Sequence, residues 1–221
     1  MAHVFIAVLW YHRDCMSATN AIFYIAILIM SVVIHEVSHG FMAEWCGDKT
    51  ARHARRLTLN PLRHLDPIGS VILPALLYFS SGFVFGWARP VPYNPDNLRN
   101  RKWGTIAVAS AGVLANLFIA LLFGMFLRFS PNFSVPASFD FIVSSIVVIN
   151  LALAIFNLLP IPPLDGSKIL FNLLPESFYP LMRFMERYSL LLLLLFILFF
   201  SNYLYPVLAY LYHLITNFSL T

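Results

Sequence analysis

CMSATNAIFYIAILIMSVVIHEVSH, residues 15–39, contains the two features that decide the fold. Residues 15–34 carry no charge, and a helix of about 20 such residues is long enough to cross a bilayer core of about 30 Å. The next five residues, His35-Glu36-Val37-Ser38-His39, add three ionisable side chains to the same helix. Ionisable groups at membrane depth are costly and are normally functional. The stretch therefore predicts a membrane-spanning helix that carries a functional site.

The composition of the whole chain is that of a membrane protein. Of its 221 residues 60% are hydrophobic and only 11% are charged, whereas charged residues make up about 25% of a typical soluble domain. The formal net charge is +4, and the basic residues are spread over short loops, which is typical of membrane topology and argues against a nucleic-acid partner. The expected surroundings are the lipid bilayer.

Five apolar runs could form membrane segments. The second run contains Pro74 and several Gly and Ser residues, which are poorly suited to a complete helical crossing. We therefore expect an all-α polytopic membrane protein, a helical bundle with about four full transmembrane spans, a re-entrant segment and short extended elements near the functional site. The five runs are residues 20–46, 68–86, 105–129, 139–159 and 188–220.

The distribution of basic residues supports the re-entrant assignment. Loops 47–67, 87–103 and 161–187 hold five, four and three of the 14 Lys and Arg residues. If residues 68–86 crossed the membrane, the first two loops would lie on opposite sides, contrary to the positive-inside tendency. A re-entrant segment puts all three loops in the cytoplasm.

The pattern His35-Glu36-Val37-Ser38-His39 predicts a metal site. On a helix His35 and His39 lie one turn apart on one face, so both imidazoles can bind a single ion. Glu36 lies beside that face, where its carboxylate can reach a water on the metal. This is the H-E-x-x-H arrangement of zinc hydrolases, in which Zn²⁺ lowers the pKa of the bound water and the Glu takes its proton.

A catalytic zinc site needs a third protein ligand. Glu44 faces away from the two histidines on the helix, and His53 and His64 lie in an arginine-rich loop. Asp165 is the better candidate, because it follows the fourth apolar run in the sequence Asn157-Leu-Leu-Pro-Ile-Pro-Pro-Leu-Asp165-Gly166. The prolines end the helix and leave backbone carbonyl groups unpaired, which is tolerated at this depth only beside protein or water.

These motifs resemble those of the site-2 protease family of intramembrane zinc metalloproteases, in its small bacterial form without PDZ or CBS domains. The resemblance covers most of residues 20–172 and is supported by the stretches at 66–69, 85–92 and 111–116. One position departs from the family pattern, since Val113 stands where the family usually has Pro. The departure affects no proposed ligand.

The resemblance implies that His35, His39 and Asp165 bind zinc and that Glu36 is the general base and acid. It also implies that Asn157 helps to hold the oxyanion of the tetrahedral intermediate, with Asn116 as a weaker second candidate. An interhelical hydrogen bond is the alternative for each asparagine. The implied substrate is a transmembrane protein whose helix unwinds locally, and residues 85–93 could pair with the unwound strand.

The expected organisation is a single transmembrane metalloprotease domain over 1–221, with a catalytic core at about 20–172 and a C-terminal hydrophobic segment at 188–220. The expected location is the bacterial inner membrane, crossed several times. A second function stays open at this point, because His35, Glu36, His39 and Asp165 could instead form the relay of a membrane ion or proton transporter. Hydrolysis of a peptide bond would distinguish the two.

Overall fold

Helices make up the regular structure of this chain wherever it is described. The computed structural model describes residues 18–72, 76, 88–130 and 137–220. No β-strand occurs among them, and residues 88–93, the described part of the segment 85–93 expected to be extended, have neither helix nor strand. The α-helices are α1 (Ala18–Trp45), α2 (Thr50–His53), α3 (Arg101–Phe129), α4 (Ala137–Asn157), α5 (Asp165–Leu173), α6 (Tyr179–Arg187), α7 (Ser189–Phe200) and α8 (Leu204–Thr216).

Four helical stretches are long and apolar enough to cross a membrane, which confirms the prediction of a polytopic all-α protein. They are Ile22–Trp45, Arg101–Phe129, Phe139–Asn157 and the combined stretch Ser189–Thr216. Helix α3 begins four residues before the predicted run, because the Asn100 side chain accepts a hydrogen bond from Trp103 N and caps the helix. Helix α4 ends two residues early, just before the proline-rich turn.

Helices α1, α3 and α4 form the centre of the bundle. Tyr24, Leu28 and Val32 of α1 pack with Ile149 and Leu153 of α4. Helix α3 turns mainly small residues towards its neighbours, and these include Gly104, Ala109, Ala111, Gly112, Ala120 and Gly124. Small residues allow helix backbones to approach closely, which is the usual way in which helices associate in lipid.

The chain leaves α1 and returns to α3 at the same end of the bundle. Arg99 N donates a hydrogen bond of 2.9 Å to Cys46 O. The buried Asp48 carboxylate accepts hydrogen bonds from Asn94 N (2.6 Å) and Asn97 Nδ2 (2.9 Å). Residues 47–98 therefore start and finish at one membrane face, as the re-entrant assignment requires. Most of the expected re-entrant segment 68–86 lies outside the described residues.

The C-terminal segment runs once along the bundle, as two helices joined by a short 3-10 turn at Ser201–Tyr203. Leu193 and Ile197 of α7 pack with Phe156 and Leu164, next to the end of α4. Tyr212 of α8 contacts the opposite half of α4, where its hydroxyl lies 2.8 Å from Ser144 Oγ. The α7–α8 pair thus runs antiparallel to α4 along its length.

Candidate active site

Three of the side chains singled out in the sequence meet in the interior of the bundle. His35 and His39 lie on α1 and Asp165 is the first residue of α5. The Nε2 atoms of both histidines are 3.1 Å from Asp165 Oδ2 and 3.0 Å from each other. All three residues are buried, and among the residues that the structure describes no other His, Cys, Asp or Glu residues form a group of three that could hold a metal ion.

The other polar atoms of these side chains face protein partners. His39 Nδ1 is 2.6 Å from Val108 O, and His35 Nδ1 is 2.6 Å from Asn116 Oδ1. Lys168 Nζ donates a 2.7 Å hydrogen bond to Asp165 Oδ1. Metal-binding histidines characteristically give their second ring nitrogen to such a partner, which fixes the orientation of the ring.

The chemistry of these atoms fits a cation. Val108 O can only accept a hydrogen bond, so His39 Nδ1 carries the hydrogen and the lone pair of a neutral imidazole lies at Nε2. That lone pair faces the Asp165 carboxylate, which is itself an acceptor. Acceptor atoms that converge at 3.1 Å or less repel one another unless a positive charge lies between them. Two imidazoles and one carboxylate are also a donor set of catalytic zinc sites.

Gly112 leaves room for the two imidazoles. A Cβ atom at this position of α3 would lie 2.6 Å from both His35 Cε1 and His39 Nε2, well inside van der Waals contact. The absence of a side chain at Gly112 therefore permits α3 to approach the histidines of α1.

Glu36 lies beside the cluster and is held by the backbone of the segment that precedes α3. Its side chain is 1% exposed, and Oε2 accepts a 2.9 Å hydrogen bond from Val91 N. Residues 89 and 90 are held in turn by Arg56, whose guanidinium donates to Arg89 O (2.9 Å) and Pro90 O (3.1 Å). The loop between α1 and α3 therefore orients the Glu36 carboxylate.

Asp165 is brought to the histidines by the turn after α4. Leu164, immediately before it, is completely buried against Phe156, Leu193 and Ile197. A Cβ atom on Gly166 would collide with the backbone carbonyl of Leu158, so the turn closes tightly on the end of α4. This packing fixes the start of α5, and hence the carboxylate, at the level of His35 and His39.

The two predicted oxyanion residues occupy different surroundings. Asn157, the last residue of α4, is buried and donates a 2.8 Å hydrogen bond to Leu153 O one turn earlier. Asn116 contacts His35 and donates a 2.7 Å hydrogen bond from Nδ2 to Asn150 Oδ1. The oxyanion role of each stays a prediction.

The other sequence candidates for a third ligand lie elsewhere. Glu44 pairs with Arg52 and His53 is exposed. His64 is buried and its Nε2 lies 2.8 Å from Thr58 O, while burial lowers the pKa of its imidazole. Sequence analysis assigned no individual role to Val91, Val108, Gly112, Lys168 or Asn150. The first three act through the backbone or the lack of a side chain, and only Asn150, an amide in the middle of an apolar span, offered a signal.

The chain is similar to known zinc metalloproteases. Residues 133–200 match peptidase family M50. "Putative zinc metalloprotease YwhC" of Bacillus subtilis is 36% identical over 189 residues, which cover 82% of this chain and 83% of that protein. "Putative zinc metalloprotease Rip2" of Mycolicibacterium smegmatis is 33% identical over 140 residues, 62% of this chain and 52% of that protein. The Rip2 protein of Mycobacterium tuberculosis H37Rv is 31% identical over 152 residues, 67% of this chain and 56% of that protein.

This chain thus spans about half the length of the Rip2 proteins and most of the length of YwhC. No solved structure gives a significant match. The matched family and these relatives do not support the alternative of an ion or proton transporter. The 36% identity to YwhC over most of both chains, together with the family match, shows that the chain belongs to peptidase family M50, the site-2 protease family of intramembrane zinc metalloproteases.

Proposed function

We propose that His35, His39 and Asp165 hold the zinc ion of this membrane-embedded protease and that Glu36 moves the protons of the reaction. The observation that carries the proposal is the convergence of two Nε2 atoms and one carboxylate oxygen, with 3.0 to 3.1 Å between them, in the interior of the bundle. Zinc bound there would lower the pKa of a coordinated water to about 7.

Glu36 has the position and the support of a general base. It neighbours His35 in the chain, and the hydrogen bond from Val91 N orients its carboxylate. We expect the carboxylate to take a proton from the attacking water and to deliver it to the amine that leaves. Asn157 is proposed to donate its amide hydrogen to the carbonyl oxygen of the scissile bond as negative charge develops there.

The proposed substrate is a transmembrane segment of another membrane protein. A peptide bond in a helix is shielded by its own hydrogen bonding, so the segment must unwind before water can attack. Residues 88–93 run beside Glu36 without regular secondary structure and could add an unwound strand along their edge. Val91 N already donates to Glu36 and Pro90 and Pro92 have no N–H, so pairing would use the carbonyl groups of Val91 and Pro92.

We also propose that residues 20–172 form the catalytic core of one domain over 1–221 and that the protein lies in the inner membrane of a bacterium. The relatives YwhC and Rip2 are bacterial, and the basic loops 47–67, 87–103 and 161–187 would face the cytoplasm by the positive-inside tendency. Labelling of single-cysteine variants at Lys49 and Arg101 from each side of the membrane would test this orientation.

The test of the proposed function is zinc content and cleavage in the same detergent-purified samples. The parent is expected to hold about one zinc per chain, since the three ligands form a single site. His35→Ala, His39→Ala and Asp165→Ala should lose it, while Glu36→Gln should keep it and fail to cleave a quenched fluorescent peptide with one apolar span. His53→Ala, an exposed histidine outside the cluster, is the matched control and should behave as the parent.

Two results would contradict the proposal. If the parent binds no zinc even after zinc is supplied, the proposed metal site is wrong. If Glu36→Gln cleaves at the parent rate, Glu36 is not the general base of the reaction.

A further inference from the structure

A chain of buried hydrogen bonds runs from the His35 imidazole across two other helices and back to α1. His35 Nδ1 lies 2.6 Å from Asn116 Oδ1, Asn116 Nδ2 donates to Asn150 Oδ1 at 2.7 Å, and Asn150 Nδ2 donates to Ser31 Oγ at 2.9 Å. Ser31 lies one helical turn before His35. None of the four residues is more than 4% exposed. This set of hydrogen bonds, called the ring below because it begins and ends on α1, connects α1, α3 and α4 inside the bundle.

The direction of every hydrogen bond in this ring is set by one backbone carbonyl. Asn150 Nδ2 also donates a 2.9 Å hydrogen bond to Ile146 O, which can only accept. The amide nitrogen of Asn150 therefore faces Ile146 and Ser31, and its oxygen faces Asn116. Asn116 must in turn present its nitrogen to Asn150 and its oxygen to His35.

The orientation of Asn116 also fixes the position of the hydrogen on His35. Asn116 Oδ1 can only accept, so His35 Nδ1 must carry the hydrogen that it receives. A neutral imidazole with hydrogen on Nδ1 has its lone pair on Nε2, the atom that lies 3.1 Å from Asp165 Oδ2. The ring thus selects the tautomer in which His35 can bind a metal through Nε2.

From this geometry we infer that Asn116, Asn150 and Ser31 are positioning residues that fix the tautomer and the orientation of His35 for zinc binding. The inference rests on the proposed zinc site. In this assignment Asn116 acts through His35 rather than on the substrate, since its two polar atoms face His35 and Asn150.

The two histidine ligands are consequently held in different ways. His39 is fixed by the main chain, through Val108 O, and no side-chain substitution removes that acceptor. His35 depends on three side chains contributed by three helices. A buried polar network is stable only when every member is satisfied, so removal of one member should disturb His35 and leave His39 unaffected.

The experiment measures zinc affinity by competition with a chromophoric chelator in the detergent-purified full chain. Asn150→Leu, which keeps the branching of the side chain and removes both hydrogen-bonding atoms, leaves Asn116 without the contact that orients it towards His35. It should weaken zinc binding about 10- to 100-fold, the usual effect of disturbing an outer partner of a ligand. Ser31→Ala should weaken it by less, since Asn150 keeps its hydrogen bond to Ile146 O. Ser31→Thr retains the hydroxyl and should bind as the parent.

Ser145→Ala is the matched control. Ser145 is a buried serine on the same helix as Asn150, and its hydroxyl donates to Phe141 O, outside the ring. Its loss should leave the zinc dissociation constant unchanged.

Two further readouts separate positioning from general support of the fold. The visible spectrum of the Co²⁺-substituted protein reports ligand geometry, and it should change in Asn150→Leu and be normal in Ser145→Ala. The melting temperature of the metal-free protein measures the structural part of the effect separately. If Asn150→Leu does not fold, the comparison of Ser31→Ala with Ser31→Thr decides the question.

The possible failures are distinguishable. A parent that binds no zinc refutes the proposed metal site itself. A parent that binds zinc, with the same affinity and the same Co²⁺ spectrum in Asn150→Leu and Ser31→Ala, refutes the positioning chain and leaves the metal site intact.

Discussion

Helices α1 and α7 are both apolar enough for a membrane, but they use their side chains in opposite ways. In α1 half of the residues in its most apolar part are buried inside the bundle, and the buried residues of this helix include Ser31, His35, Glu36 and His39. In the most apolar part of the stretch Ser189–Thr216, which begins with α7, only 11% of the residues are buried, and after Ser189 helix α7 consists of Leu, Ile and Phe alone.

The difference reflects what lipid can and cannot stabilise. Lipid tails are as apolar as leucine, so an apolar side chain gains little by turning from lipid to protein. Close packing and polar contacts must therefore specify which helices meet and how they are rotated. Helix α1 has such contacts on several sides, whereas α7 has few beyond the packing of Leu193 and Ile197.

The largest contrast is expected between two glycines of α3. Gly112→Ala should reduce zinc affinity on the order of a hundredfold, the upper end of the effect of a disturbed ligand surrounding, because the new methyl group would displace both imidazoles. In Gly124→Ala the new methyl group would collide with the Ile215 side chain of α8, far from the histidines, and should lower the melting temperature while zinc affinity is kept. Equal zinc affinity in the two variants would show that the histidines do not depend on the close approach of α3.

A second contrast concerns two arginines of the loop after α1. Arg56 is 8% exposed and holds Arg63 O, Arg89 O and Pro90 O. Arg56→Gln should reduce kcat about tenfold or more with zinc content unchanged. Each lost hydrogen bond to a charged group costs about 1.5–3 kcal/mol, and the segment that Arg56 holds includes Val91, whose N–H orients the Glu36 carboxylate.

The matched control for Arg56 is the exposed Arg52, which pairs with Glu44. An exposed ion pair contributes little to stability, so Arg52→Gln should leave kcat close to that of the parent. A fall in kcat of the same size in both variants would indicate a general effect of basic charge rather than support of Glu36.

The smallest contrast lies within α7 itself. Leu193 is 1% exposed and Leu194 is 45% exposed. Leu193→Ala should lower the free energy of unfolding on the order of 1–2 kcal/mol, less than in a soluble core because only the cavity contribution remains in lipid. Leu194→Ala should have no measurable effect. Thermal unfolding in one detergent tests both, and an equal loss in the two variants would mean that α7 packs differently.

The transmembrane helices were predictable because the residues at their ends determine where they begin and end. The predicted runs are bounded by charged residues, by Gly or by Pro, as at the prolines after Asn157, and the observed helices differ from them by at most four residues where both are described. The i, i+4 spacing of His35 and His39 needs only helix geometry. Asp165 could be connected to them because the charge distribution placed the end of the fourth span on the same side.

The surroundings of the ligands could not be predicted in this way. Val91 and Val108 contribute backbone atoms, which no side-chain pattern reveals. Whether a glycine is needed at position 112 depends on the distance between α1 and α3. The contact of Asn150 with Asn116 depends on how α3 and α4 are rotated about their axes. Rotation and separation are set by packing over the whole bundle rather than by any one segment.

The hydrogen bond between Arg99 N and Cys46 O has a consequence for how this protein can change in evolution. Because the chain departs and returns at the same point, residues 47–98 form an excursion whose length does not determine the orientation of any later helix. Insertions or deletions there are compatible with unchanged sidedness of α3, α4 and the α7–α8 crossing, as surface loops tolerate changes in length. By contrast, a change that added or removed a crossing between α1 and α3 would invert all later helices. Lineages of this family could therefore diversify in this excursion while the catalytic helices keep their orientation.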